Sequence, residues 1–309
     1  MKKLLLLCLT LLITPCSAVA KYQLKLQHDA QQTQFDYQFS YANQPQQLLF
    51  SISNTALSAD FRQFRRFQTT LLEQYIWRDL RAHVASYPGA RIQRQPSRSS
   101  LSYRLQLRDP ALLQQLQQEL QQLSIKRTER YLQEEYYYQQ DMPWGERVII
   151  PDHVRFIQDS LQALLPVAQA LHRTLVSMPS RDSVHYISAW LQQIPYQDLS
   201  DRQHSSGNSF SPPLSMLRQN RGDCDSKTVL LAALVRLLLP DVKLALIYLP
   251  QHAMLAIQLP VNASDDAVSI DGRRYLLVDP TGPAQLAPGQ ISPQLKIYTL
   301  NNQFGYRLL

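Results

Sequence analysis

Apolar residues alternate with polar ones at Phe35, Tyr37, Phe39 and Tyr41, and the same period appears at Tyr22, Leu24 and Leu26. Successive side chains of a strand point to opposite faces, so both runs predict half-buried β-strands. The spacing then changes. Phe61, Phe64, Leu71, Leu72, Tyr75, Ile76 and Leu80 recur at helical intervals, predicting a helix from Ser58, its N-cap, to about Ser86. Leu101, Tyr103, Leu105 and Leu107 return to period two. Asp109-Pro110 opens another helix, with aspartate as cap and proline in the first turn. Its apolar stripe is Leu112, Leu113, Leu116, Leu120 and Leu123, and glutamines form the wet face. Tyr136-Tyr137-Tyr138 closes this region as a strand.

The pattern breaks at Asp141-Met142-Pro143-Trp144-Gly145, and helical periodicity follows from about Pro151 to Ser177 and from Asp182 to Ile194. A polar loop from Ser200 to Pro213, rich in Ser, Asn, Gly and Pro, is a candidate cleft wall. Arg221-Gly222-Asp223-Cys224-Asp225-Ser226-Lys227 then leads into Thr228–Val235, apolar on most faces, which predicts a buried helix ending before Pro240. Val242 to Leu249 and His252 to Leu259 read as strands joined by a bend at Pro250-Gln251. A third strand, Tyr275 to Val278, ends in the turn signal Asp279-Pro280-Thr281-Gly282. The fold class is α+β: a smaller accessory α+β domain over residues 21–145, then a second domain over 146–309. No internal repeat is present.

The ends and the composition place the chain. Lys2 and Lys3 precede an apolar run from Leu4 to Ile13, and Ala18-Val19-Ala20 follows. This is the layout of a signal peptide over residues 1–20, with Lys21 as the first mature residue. The run falls short of the ~20 apolar residues that span a bilayer. The expectation is a periplasmic protein with no transmembrane segment after cleavage. Formal charge drops from +7 to +5 when Lys2 and Lys3 leave. Arg62, Arg65, Arg66, Arg78, Arg81, Arg91, Arg94, Arg98, Arg104 and Arg108 crowd the first half, a surface that attracts anions. Export argues against nucleic acid and for an envelope component or an acidic protein, and a solvated face is the simpler account. Cleavage also removes Cys8 and Cys16, leaving Cys224 alone. Oxidising compartments use cysteines in pairs, so an odd one is either a small buried hydrophobe or a reactive thiol.

Cys224 falls at the first turn of its helix. The partial positive charge and free N–H groups there favour a thiolate and can hold an oxyanion. Gly222 lets the chain turn and leaves space beside the sulfur. Asp223 and Asp225 act in the opposite sense, which implies either a cap role for Asp223 or a bound cation. A cysteine nucleophile needs an imidazole in reach and a third group to orient it. His252 and Asp279 offer both, at the ends of strands that pair if they are adjacent and antiparallel. Taken singly, each has a bland alternative: a core cysteine, a sheet-edge histidine, a β-turn aspartate. The remaining histidines lie outside metal-ligand spacings, so no zinc site is expected.

In this order, Cys on a buried helix, His at a strand start and Asp at the next strand end, the chain resembles the transglutaminase-like superfamily. Gly222-Asp223-Cys224-Asp225 is similar to its bacterial cysteine peptidase branch, and Ile194-Pro195-Tyr196 resembles a recurrent upstream element. The likeness covers about the second half of the chain. It implies a papain-like core, a buried cysteine helix packed on an antiparallel sheet, with Cys224 as nucleophile, His252 as base and Asp279 as orienter. Some periplasmic members need calcium, held by acids beside the cysteine, and Asp223 and Asp225 occupy those places. Ser226-Lys227 departs from that branch, which more often has an aromatic residue here. The function implied is an exported cysteine-dependent hydrolase or acyl transferase acting on amide bonds of proteins or peptides in the cell envelope, a peptidase first. The alternative is a catalytically inactive binding or scaffold module with the same fold.

Overall fold

A computed structural model describes residues 22–97, 101–199 and 210–309. The expected signal peptide and most of the Ser200–Pro213 loop lie outside them. Strands β1 (Gln23–His28), β2 (Gln32–Tyr41) and β3 (Gln44–Ser53) form an antiparallel sheet in that order. The alternation along β2 buries Phe35, Tyr37 and Phe39 on one face. Helices α1 (Asn54–Gln63) and α2 (Thr69–Val84) replace the single helix expected from Ser58. The start lies earlier because the Ser53 side chain accepts the Ala56 N–H and caps α1. The break comes at Phe64, whose backbone is extended and whose buried ring packs on Tyr137, Phe156 and Phe210. Tertiary burial outweighs helical periodicity there.

Strands β4 (Arg91–Gln95) and β5 (Ser102–Gln106) make a hairpin, followed by α3 (Pro110–Glu134). Asp109 caps α3 by accepting the Ala111 and Leu112 N–H groups, as its sequence predicts. Leu80 and Val84 of α2 meet Leu116 and Leu120 of α3 in a small core of their own. Strands β6 (Tyr137–Asp141) and β7 (Arg147–Pro151) pair as a second hairpin. The pattern break at Asp141–Gly145 is its turn, with Gly145 at φ 88°.

Helices α4 (His153–Leu175), α5 (Ser180–Gln193), α6 (Pro213–Gln219) and α7 (Cys224–Leu238) follow. Then come β8 (Leu244–Leu249), β9 (His252–Ile257), β10 (Ala267–Ile270), β11 (Arg273–Val278), α8 (Pro293–Leu300) and β12 (Gly305–Leu308). The last five strands form one sheet, ordered β10-β11-β9-β8-β12 and antiparallel throughout. One face, with Leu244, Leu246, Leu255 and Ile257, joins the core that holds α7. The other, with Ile247, Met254 and Leu277, is covered by Ile291 and Phe304. Thr228 to Val235 of α7 are all buried. Each fully buried Leu or Val contributes about 1.5–3 kcal/mol, so α7 is fixed from every side.

The large core runs without a break from Phe35 to Val278, and Tyr37 meets Trp190 of α5 edge-on at 5.1 Å. The expected boundary after residue 145 falls within the β6–β7 hairpin. The fold is α+β with antiparallel sheets. No helix among the described residues is long and apolar enough to cross a membrane.

Candidate active site

The loop before Cys224 is held from several directions. Asn220 ends α6 in the left-handed region, at φ 52°. The Gly222 N–H donates to the Pro195 carbonyl (3.2 Å), and the Gln197 N–H donates to the Gly222 carbonyl (3.1 Å). A Cβ on Gly222 would lie 3.0 Å from Met216 Cγ and 3.2 Å from Ser226 Cβ. The glycine therefore makes room for Met216 and Ser226, where the sequence suggested room beside the sulfur. The N-terminal sheet also reaches this loop: the Tyr22 hydroxyl donates to Asn220 Oδ1, and that of Tyr37 to the Leu217 carbonyl.

Asp223 is the N-cap of α7. Its Oδ1 accepts the Ser226 N–H (3.0 Å) and hydroxyl (2.6 Å), and Ser226 Oγ accepts the Ser211 N–H (2.8 Å). Of the two explanations for acids beside the cysteine, the structure gives Asp223 the cap. Cys224 is buried, 9% exposed. Its sulfur donates to Asp225 Oδ1 at 3.3 Å, and the backbone N–H of Ala253 favours its ionisation. Burial, then the charges of Asp225 and Asp223, push the thiol well above the ordinary cysteine range. The partial positive charge of the helix start acts in the opposite sense.

His252 and Asp279 meet directly, Nε2 to Oδ2 at 2.9 Å. His252 opens β9 and Asp279 directly follows the neighbouring antiparallel strand β11, with Val278 opposite Leu255. Burial alone would raise the Asp279 carboxyl. Hydrogen bonding and the charge of His252, with the Thr281 amide (3.0 Å), outweigh it and hold the group below the ordinary carboxylate range. An ionised Asp279 accepts the Nε2 proton, which leaves Nδ1 with the free lone pair. Cys224 grips the next residue, Ala253, and the Thr228 hydroxyl donates to the Ala253 carbonyl (3.2 Å). The first two turns of α7 thus hold the strand just after His252, and His252 in turn holds Asp279.

Further residues build the site, and the sequence patterns gave none of them a role in it. Lys227 is fully buried, its Nζ donating to the Ile194 carbonyl (2.6 Å) and to the Thr281 carbonyl. Burial pulls it down to about 8, against the opposing pull of Asp279 and Asp223. Gln192 Nε2 donates to the carbonyls of Asp279 (2.7 Å) and Leu286 (2.9 Å). Gly282, at φ 66°, fits only without a Cβ, which would come within 2.0 Å of the Gln192 carbonyl oxygen. His153, on α4, turns Nε2 toward Asp225 Oδ2 at 3.6 Å. Lys227 did carry a signal, a cation leading into an apolar helix, because lysine is almost never buried without partners. Lys227→Met keeps the length but leaves two buried carbonyls without a donor. It should cost about 3 kcal/mol and lower Tm by roughly 5–10 °C in a thermal melt. An unchanged Tm would show that the ammonium is not needed there.

Calcium takes about six to eight oxygen ligands. Asp223 Oδ1 is turned to Ser226, and the two oxygens of Asp225 face the thiol and the His153 imidazole. Among the described residues, no group of three or more His, Cys, Asp or Glu side chains is arranged to hold a metal. This donor set does not fit the ion. Neither a protein-family model nor a curated protein matches the chain.

Proposed function

We propose that the chain is an exported cysteine-dependent amide hydrolase or acyl transferase of the transglutaminase-like type, acting first as a peptidase on envelope proteins or peptides. The observation that carries this is the 2.9 Å bond from His252 Nε2 to Asp279, which frees Nδ1 on the strand that the Cys224 helix grips at Ala253. Cys224 Sγ attacks the substrate carbonyl carbon while its proton passes to His252 Nδ1. The C–N bond breaks, the amine leaves with that proton, and a thioester remains on Cys224. Water, deprotonated by the same imidazole, then releases the acid. The amides of Ser226 and Lys227 are engaged by Asp223, so those of Cys224 and Asp225 are the candidates for binding the oxyanion. In this reading the second half supplies the papain-like core and the N-terminal part is an accessory domain that buttresses the nucleophile loop.

A scaffold without activity is the second reading, favoured by the burial and upward shift of the Cys224 thiol. Acetylation by p-nitrophenyl acetate separates them. An enzyme acetylates Cys224 faster folded than in urea, with Cys224→Ser losing the adduct by mass spectrometry. A scaffold reacts more slowly folded than unfolded.

A further inference from the structure

Asp225 places a carboxylate against the nucleophile, and the calcium that would balance it does not fit. His153 lies on the far side of that carboxylate. It is 1% exposed, its ring is 4.9 Å from that of Phe210, and Nε2 has no hydrogen-bond partner within ordinary reach. A buried ring nitrogen left unmet is unfavourable, and native structures rarely keep one without a reason.

The neighbouring hydroxyls fix where the His153 proton sits. The Tyr138 hydroxyl donates to Gln140 Oε1 at 2.9 Å. Tyr138 and Tyr248 hydroxyl oxygens are 3.1 Å apart, and Tyr138 has no second proton, so Tyr248 supplies the one between them. The Tyr248 oxygen then accepts from His153 Nδ1, 3.0 Å away. A neutral His153 therefore carries its proton on Nδ1 and turns a bare lone pair toward Asp225 Oδ2. Two lone pairs do not face each other stably in a buried site. A proton on Nε2 would resolve the conflict: burial pulls the imidazole below its ordinary range, against the opposing pull of Asp225 and Asp152. That proton offsets part of the negative charge that Asp225 presents to the sulfur.

We infer that His153 is a positioning residue for the nucleophile: its Nε2 holds the Asp225 carboxylate, and Asp225 holds the Cys224 thiol. This rests on Cys224 being the nucleophile, as proposed above. The charged and titratable groups around the pair are Asp152 at the start of α4, Arg307 of β12, Tyr248 of β8, and Asp223, Cys224 and Tyr196 beside Asp225.

The test is the rate of Cys224 alkylation by iodoacetamide against pH, in the mature chain, for wild type, His153→Phe, Asp225→Asn and the double variant. Without His153 the full charge of Asp225 faces the thiol. His153→Phe should then move the profile up by about one pH unit, about tenfold slower at a fixed pH below the midpoint. Asp225→Asn should move it down, and on that background His153→Phe should change nothing further. His153→Gln, with an amide N–H to offer Asp225, should recover part of the loss. If His153→Phe loses its cooperative melt, His153→Gln on the two backgrounds reads the same coupling at smaller size. Equal shifts with and without Asp225, or no shift, would overturn the inference. So would a chelator that moves the wild-type profile as far as His153→Phe does. Alkylation needs no turnover, so it separates this inference from the enzymatic reading, which stands or falls on acylation through His252.

Discussion

Replacing Asp279 with asparagine is expected to lower turnover by about 10³–10⁴-fold while leaving the protein folded. The reason lies in which oxygen faces which donor. Asp279 Oδ1 accepts the Thr281 N–H at 3.0 Å, and Oδ2 accepts from His252 Nε2 at 2.9 Å. An asparagine has one oxygen, and the fixed Thr281 amide claims it. The NH₂ group is then turned to His252, and Nε2 must accept where it had donated. The proton moves to Nδ1, the nitrogen proposed as the base, and the thiol proton would have nowhere to go. The fold should survive, because Gln192 holds the Asp279 backbone carbonyl and Lys227 holds that of Thr281, neither of which the substitution touches. Hydrolysis of p-nitrophenyl acetate, with a thermal melt as control, measures this. Turnover within about tenfold of wild type, in a folded variant, would mean that Asp279 does not set the tautomer.

The parts of this site legible in the sequence are those that local chemistry writes. Asp109-Pro110 announces a helix start, and the structure caps α3 there. Cys224, His252 and Asp279 each sit at an element end beside a loop or turn signal, so their order could be read before their contacts were known. The electrostatic balance could not. A helix start lowers a thiol and two flanking acids raise it, and burial, the largest cause of the upward shift, is set by tertiary packing. Phe64 fits a helical stripe yet ends α1, because its pocket among Tyr137, Phe156 and Phe210 comes from distant segments. Strands β10 and β12, four residues each, are too short to show a period. Gln192 and His153 act through partners 87 and 95 residues away, Asp279 and Tyr248, and no local pattern marks such a pairing.

The central claim is that His252 Nδ1 takes the Cys224 proton as the sulfur attacks. Because burial and the acids push the Cys224 thiol upward, acylation should lean on a base acting in the transition state. General-base assistance contributes about 10²–10⁴-fold. Removing the imidazole also leaves Asp279 with its Thr281 bond, so the local loop keeps its anchor. The decisive measurement is the rate of Cys224 acetylation by p-nitrophenyl acetate at neutral pH in wild type and His252→Ala, followed by intact mass. The account requires a fall of about 10²–10⁴-fold on losing His252. Equal rates in the two folded proteins would contradict it.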